Sequence, residues 1–135
     1  MRIVIDTNLW ISALFSYSLR QRLESIIGNE QIAILASDEL LNEVKEVAQR
    51  PNLQKYVKPD LAALFLEVLS RRVDLIEVNS EVQVCRDPND DFLLALCKDG
   101  KADLLITGDK DLLIIGAFEN TKIVNLSSFE GILSG

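Results

Sequence analysis

Short unbroken apolar runs alternate along this chain with longer segments in which apolar residues return every three or four positions. The first run, Arg2-Ile3-Val4-Ile5-Asp6, is β-branched and gives way to the polar trio Asp6-Thr7-Asn8, the pattern of a buried strand delivering its last residues to a turn. Helices are predicted over residues 9–15 and 19–27, the second stopped by Gly28-Asn29, and a second strand over residues 32–35. Ser37 is a good N-cap, with Asp38 and Glu39 in the first turn, for a helix carrying Leu40, Leu41, Val44, Val47 and Ala48 on one face until Pro51 ends it. A polar connector with room for another helical turn leads to an amphipathic helix over Pro59–Arg72 and a third strand over residues 73–78. Asp87 followed by Pro88 sets an N-cap with proline at the first helical position, opening a nearly all-apolar helix over residues 89–98 that stops at Gly100. Residues 104–107 and 122–125 predict the fourth and fifth strands, and Ser127 a cap for a last helix of about two turns.

Strands alternating with helices imply an α/β fold: a mostly parallel central sheet of about five strands with helices on both faces. The strands read as continuous apolar runs rather than alternating ones, which suits burial on both faces. In such sheets ligands sit beyond the carboxyl ends of the strands.

With 135 residues and 48% hydrophobic content, the chain is expected to be a single domain, residues 1–135, with one continuous core. Its longest apolar runs, such as residues 61–66 and 104–106, fall far short of the about 20 residues that a membrane-spanning helix needs. The N-terminus lacks an apolar signal region, so a cytoplasmic protein with no membrane association is expected, and Cys85 and Cys97 are expected as free thiols. A net charge of -7 disfavours binding duplex nucleic acid through a broad cationic face. The absence of histidine removes most acid–base and nucleophile-activation schemes, so any chemistry rests on carboxylates.

Asp6 ends the first strand and Asp109 lies just beyond Thr107 at the end of the fourth, so both fall at the edge where a parallel sheet builds its site. Asp91 falls in the first turn of the apolar helix, where the helix dipole favours an anion, and Glu43 in the second turn of the Ser37-capped helix, on the flank of its apolar stripe. Four carboxylates brought together repel unless cations intervene, and a site of oxygen ligands alone suits Mg2+ or Mn2+ over zinc or copper. Such ions support phosphodiester cleavage. Asn8 and Thr107 offer polar contacts to water or phosphate. Simpler roles stay open for each: Asp6-Thr7-Asn8 also suits a turn, Glu43 a solvated flank, and Asp111 a cap before Leu112. Asp87 suits capping, and Asp90 can share that role, which leaves Asp91 as the better site acid.

Asp6-Thr7-Asn8 after the first strand, Glu43, Asp91-Phe92-Leu93-Leu94-Ala95 and Thr107-Gly108-Asp109-Lys110-Asp111 together resemble the PIN domain family, and the resemblance spans nearly the whole chain. Residues 86–91 and 102–109 resemble in particular the subgroup described as toxins of VapC-like toxin–antitoxin pairs. The resemblance implies a sequence-selective endoribonuclease dependent on Mg2+ or Mn2+, an RNA substrate, a small antitoxin partner and a homodimer. Carried over residue by residue, it implies catalytic and metal-binding acids at Asp6, Glu43, Asp91 and Asp109, with Asp111 auxiliary.

Two enzyme alternatives fit less well. A phosphatase of the haloacid dehalogenase type wants a second aspartate two residues after the first, where this chain has Asn8, and a receiver domain wants paired aspartates near its first strand. A non-cleaving PIN-like scaffold that binds RNA or protein is the alternative from outside enzymology. Some of Arg20, Arg22, Lys45 and Arg50, on or beside the helices that flank the first strand and carry Glu43, are expected to rim the site and grip phosphates. The helix over Pro59–Arg72 is longer and more apolar than one small sheet needs, which suits either a dimer face or a core.

Overall fold

The computed structural model describes residues 1–135. Six strands form one sheet in the order β3-β2-β1-β4-β6-β5. They are β1 (Arg2–Ile5), β2 (Ala33–Ala36), β3 (Asp74–Leu75), β4 (Leu104–Ile106), β5 (Ala117–Phe118) and β6 (Thr121–Val124). All neighbours pair in parallel except β5 and β6, a short antiparallel edge ribbon that the apolar pattern does not announce. Between the strands run α1 (Thr7–Phe15), α2 (Tyr17–Ile27), α3 (Asp38–Ala48), α4 (Pro51–Gln54), α5 (Pro59–Arg72), α6 (Asp91–Gly100), α7 (Lys110–Ile115) and α8 (Leu126–Ser134). The α/β architecture and parallel sheet agree with the sequence, and no helix is long and apolar enough to cross a membrane.

The central strands β1 and β4 are buried throughout apart from Arg2, because helices pack around the sheet and leave no solvated face. Ile3, Val4, Ile5, Leu105 and Ile106 are fully buried. Helix α6 lies against β1 and β2 and buries six of its ten residues, as expected of a helix apolar on nearly every side. Helix α1 packs against α2, α3 and α5, where Trp10 and Phe65 meet with ring centroids 6.0 Å apart and tilted by 58°. Phe65 and Leu69 therefore turn one face of α5 into the core, while Leu64 and Val68 remain exposed. Arg72, the last residue of α5, donates to the carbonyls of Ile27, Asn29 and Ile32 at 2.7–2.9 Å, fastening the turn that leads into β2.

Several boundaries depart from expectation for local reasons. The third strand pairs only at Asp74 and Leu75, because beyond Ile76 the chain leaves the edge of β2. Gly100 does not stop α6 but is its last helical residue, and the left-handed position falls on Lys101 at φ 53°. Glycine at 100 serves close packing instead, since a Cβ there would stand 2.9 Å from Leu35 Cδ1. Asp87 does cap, accepting from the Asn89 amide, but the turn it caps is a 3-10 turn over Pro88–Asp90 that precedes α6. The cap of α8 is Asn125, whose Oδ1 accepts from the Ser128 amide at 2.8 Å, rather than Ser127. Ser37 caps α3 through the Leu40 amide, as its position in the sequence implies.

Candidate active site

β1 and β4 lie side by side with Ile5 opposite Ile106, so the residues that follow them emerge at the same edge of the sheet. The Asp6 amide extends the ladder by one bond to the Ile106 carbonyl, 2.9 Å, and the chain then turns into α1. Asp6 is the N-cap of that helix: its Oδ1 accepts from the Asn8 amide at 3.1 Å. Asp109 plays the same part for α7, accepting from the Asp111 amide at 2.8 Å. Thr107 joins the two acids. Its hydroxyl accepts from the Asp109 amide at 3.0 Å and donates to Asp6 Oδ2 at 2.7 Å. With Thr107 wholly buried, that hydroxyl is spoken for and does not meet water or phosphate, which corrects its expected role.

Asp6 is 3% exposed. Burial raises the pKa of its carboxyl, the hydrogen bonds from Thr107 and Asn8 oppose that rise, and the charge of Asp109 adds to it. Glu43, half-buried on α3, is also raised, first by burial and then by the charge of Asp6, with Arg50 opposing. Glu43 thus lies within electrostatic reach of Asp6.

The two neighbouring aspartates at the start of α6 part company. Burial, followed by the charges of Asp109 and Asp6, pushes Asp90 up to about 6, and a side-chain hydrogen bond with Asp109 contributes. Asp91 feels none of these acids. Against burial, which acts to raise its pKa, the amides of Cys85 and Val84 hold its carboxyl below the usual range. Its Oδ1 accepts from Cys85 at 2.7 Å and from Val84 at 3.1 Å. The charges of Asp6 and Asp109 thus reach Asp90, and that of Asp6 reaches Glu43, while the carboxylate of Asp91 is taken by the Val84 and Cys85 amides, against expectation. The cap expected of Asp90 is absent, since its side chain bonds to no backbone amide of α6.

The remaining residues divide in the same way. Asn8 is exposed and contributes its backbone amide to Asp6. Asp111 is half-buried, and its carboxylate stands 3.9 Å from Arg86 on the exposed rim. Of the cations expected to grip phosphate, Arg22 is occupied by Glu130 and Arg20 donates to the Ala13 carbonyl and lies over the Tyr17 ring. Lys45 lines a groove between α3 and α5, leaving Arg50 as the one whose charge reaches a site acid. Arg86, 87% exposed in its side chain, stands beside Asp111.

No three of the acids converge closely enough to ligate one ion directly as their side chains stand. A hydrated hard cation does not require that, because Mg2+ keeps several waters and is commonly held by one or two carboxylates. The donor set is all oxygen, and the pKa values of Asp6, Glu43 and Asp90 are raised first by burial and then by carboxylate charge that a cation would offset. The one buried side-chain oxygen without a hydrogen-bond partner belongs to Thr7, next to Asp6. The residues present fit a hydrated Mg2+ or Mn2+ better than a zinc ion.

Residues 2–111 match the sequence profile described as the PIN domain. An uncharacterized protein of Methanocaldococcus jannaschii, MJ1680, is 33% identical over 115 residues, which cover 84% of this chain and 74% of that protein. Among solved structures, VapBC2 from Rickettsia felis, bound to a DNA fragment from their promoter, is similar with a TM-score of 0.61 at 17% identity, covering 93% of this chain and 98% of that one. That likeness is one of fold.

Proposed function

The chain belongs to the PIN domain family, and on that premise we propose that it is a metal-dependent endoribonuclease acting through Asp6, Glu43, Asp90 and Asp109. One observation carries the reading: Asp6 and Asp109 stand beyond the carboxyl ends of β1 and β4, and the pKa values of Asp6, Glu43 and Asp90 are raised first by burial and then by neighbouring carboxylate charge. One or two of Asp6, Asp90 and Asp109 would hold a hydrated Mg2+ or Mn2+ directly, with the remaining acids and Glu43 holding its water shell. When bound, such an ion supplies the Lewis acidity and counter-charge that phosphodiester hydrolysis needs. The chain's own part is to fix the acids. Thr107 and the first amides of α1 and α7 orient Asp6 and Asp109, and the amino ends of both helices favour anionic groups there. Arg50, whose charge reaches Glu43, and the exposed Arg86 would meet RNA phosphates.

The motif resemblance extends the proposal to a VapC-like toxin with a small antitoxin partner, and the fold shared with VapBC2 is consistent with it. A single domain, a homodimer and a cytoplasmic setting belong to the same proposal. The test is incubation of the protein with labelled structured and single-stranded RNAs in Mg2+, in Mn2+ and in chelator, beside Asp6→Asn. Metal-dependent cuts absent from the variant are expected. Intact RNA in every condition would overturn the nuclease reading in favour of a scaffold that binds without cleaving.

A further inference from the structure

Between β3 and the 3-10 turn at Pro88, residues 76–87 cross the molecule with no strand partner beyond Ile76. Ile76, Val78, Ser80 and Val82 are half-buried while Glu77, Asn79, Glu81 and Gln83 are exposed, so the segment is extended and turns alternate residues inward. A strand without a sheet leaves its amides in need of acceptors. Two carboxylates of α6 supply them. Asp99, near the carboxyl end of the helix, accepts from the amides of Asn79 and Ser80 at 2.6 and 2.8 Å and from the Ser80 hydroxyl. Asp91, at the amino end, accepts from Val84 and Cys85.

The spacing leaves little slack. Asp91 and Asp99 are eight residues apart in α6, about 12 Å at the helical rise. From Ser80 to Val84 the strap has four residues, which reach about 14 Å when fully extended. The strap runs antiparallel to α6, pinned at both ends and taut between. Beyond the Asp91 pin come Arg86, at the rim of the acid cluster, and the 3-10 turn that ends in Asp90. The pin closes a short loop whose exit presents both residues.

We infer that Asp91 is a positioning residue that ties the strap at Val84 and Cys85 to the start of α6 and thereby sets Asp90 and Arg86 at the site, rather than a ligand or catalytic acid. The inference rests on the proposed metal site and assigns a different duty to the acid that the motif alone would select. Both of its backbone hydrogen bonds fall on one oxygen, so an amide side chain can take these two over and forgoes only the weak contact with the Cys85 thiol. A charge that holds a cation has no such substitute.

The experiment compares Asp91→Asn, Asp91→Ala and Asp90→Asn with the wild type, each first shown by circular dichroism to be folded. Amide hydrogen exchange reads the strap, and titration with Mn2+ alone reads the site. In Asp91→Ala the Val84 and Cys85 amides should exchange at least about tenfold faster and Mn2+ should bind several-fold more weakly, while Asp91→Asn stays within about threefold of the wild type in both. Asp90→Asn should lose Mn2+ affinity with the strap still protected. Loss of Mn2+ binding in Asp91→Asn equal to that in Asp90→Asn would make Asp91 a ligand and overturn the inference, as would unchanged exchange in Asp91→Ala. A wild type that binds no Mn2+ would sink the metal reading and with it this duty toward Asp90, whereas protected amides in that case would still identify the pin as structural.

Discussion

A cation entering the site competes with the proton for Asp90, so its apparent affinity weakens as the pH falls toward and below about 6. For one competing proton the apparent dissociation constant scales as 1 + 10^(pKa − pH). With a pKa of about 6 the factor is about 11 at pH 5 and about 1.1 at pH 7, a tenfold loss between them. An aspartate left at its ordinary 3.8 would change the affinity by only about 6% over the same interval. Mn2+ titrated calorimetrically into the metal-free protein at half-unit steps from pH 5 to pH 8 measures the curve, and Asp90→Asn should flatten it while weakening binding throughout. Stability follows the opposite direction. The folded-state pKa values of Asp90, Asp6 and Glu43 are all raised, so the folded metal-free chain binds these protons more tightly than the unfolded one. Their contribution is fully present below the unfolded pKa and is lost as the pH rises through the folded value, about 6 for Asp90. Metal-free protein should therefore lose stability from these groups between pH 4 and pH 7, and Mn2+ should restore it at the upper end. A wild-type affinity that changes less than twofold between pH 7 and pH 5 would refute the placement of Asp90, as would an undiminished tenfold change in Asp90→Asn.

Two further outcomes test the scaffold beneath the acids. Thr107→Val keeps the shape but strands the Asp109 amide and removes a hydrogen bond from buried Asp6, so urea denaturation should show a loss of about 2 kcal/mol that Thr107→Ser largely recovers. A loss below about 0.5 kcal/mol would mean the bridge between the acids is dispensable. Arg72→Met removes three donors from the carbonyls of residues 27–32 while keeping the aliphatic stem, and should cost about 3 kcal/mol in the same assay. A change under about 1 kcal/mol would show that water replaces the guanidinium at that turn.

The parts of the fold that could be read in advance are those governed by local periodicity. Helix α5 spans Pro59–Arg72 as its pattern predicts, because proline at its first position and the apolar stripe with Phe65 and Leu69 are both written within the segment. The buried runs 3–5 and 104–106 likewise declare parallel strands by their lack of alternation. What could not be read depends on partners distant in the chain. Residues 76–78 look like strand, and indeed stay extended, but β2 has only enough length to pair with Asp74 and Leu75. Gly100 looks like a stop because glycine commonly is one, yet Leu35, on a strand 65 residues earlier, is what requires it. The basic residues near the first strand looked available because no sequence rule announces that Glu130 occupies Arg22.

The choice between Asp90 and Asp91 shows where sequence reasoning meets a geometric limit. Adjacent residues at a helix start point about 100° apart, so two neighbouring aspartates cannot serve one site equally, and which one does is a matter of helical phase. Composition and dipole arguments apply to both alike. Phase is set here by what each carboxylate meets across the fold: Val84 and Cys85 on one side, Asp109 and Asp6 on the other. The strap thus decides the matter, since its unpaired amides need an anion at the start of α6 and take Asp91. Asp90, with no amide to cap, is left to the acids at the ends of β1 and β4. The alternation of residues 76–82, extended but too far along the chain to find a sheet partner, is the one sequence signal that could have raised the question, because it implies amides in search of acceptors just before a pair of carboxylates.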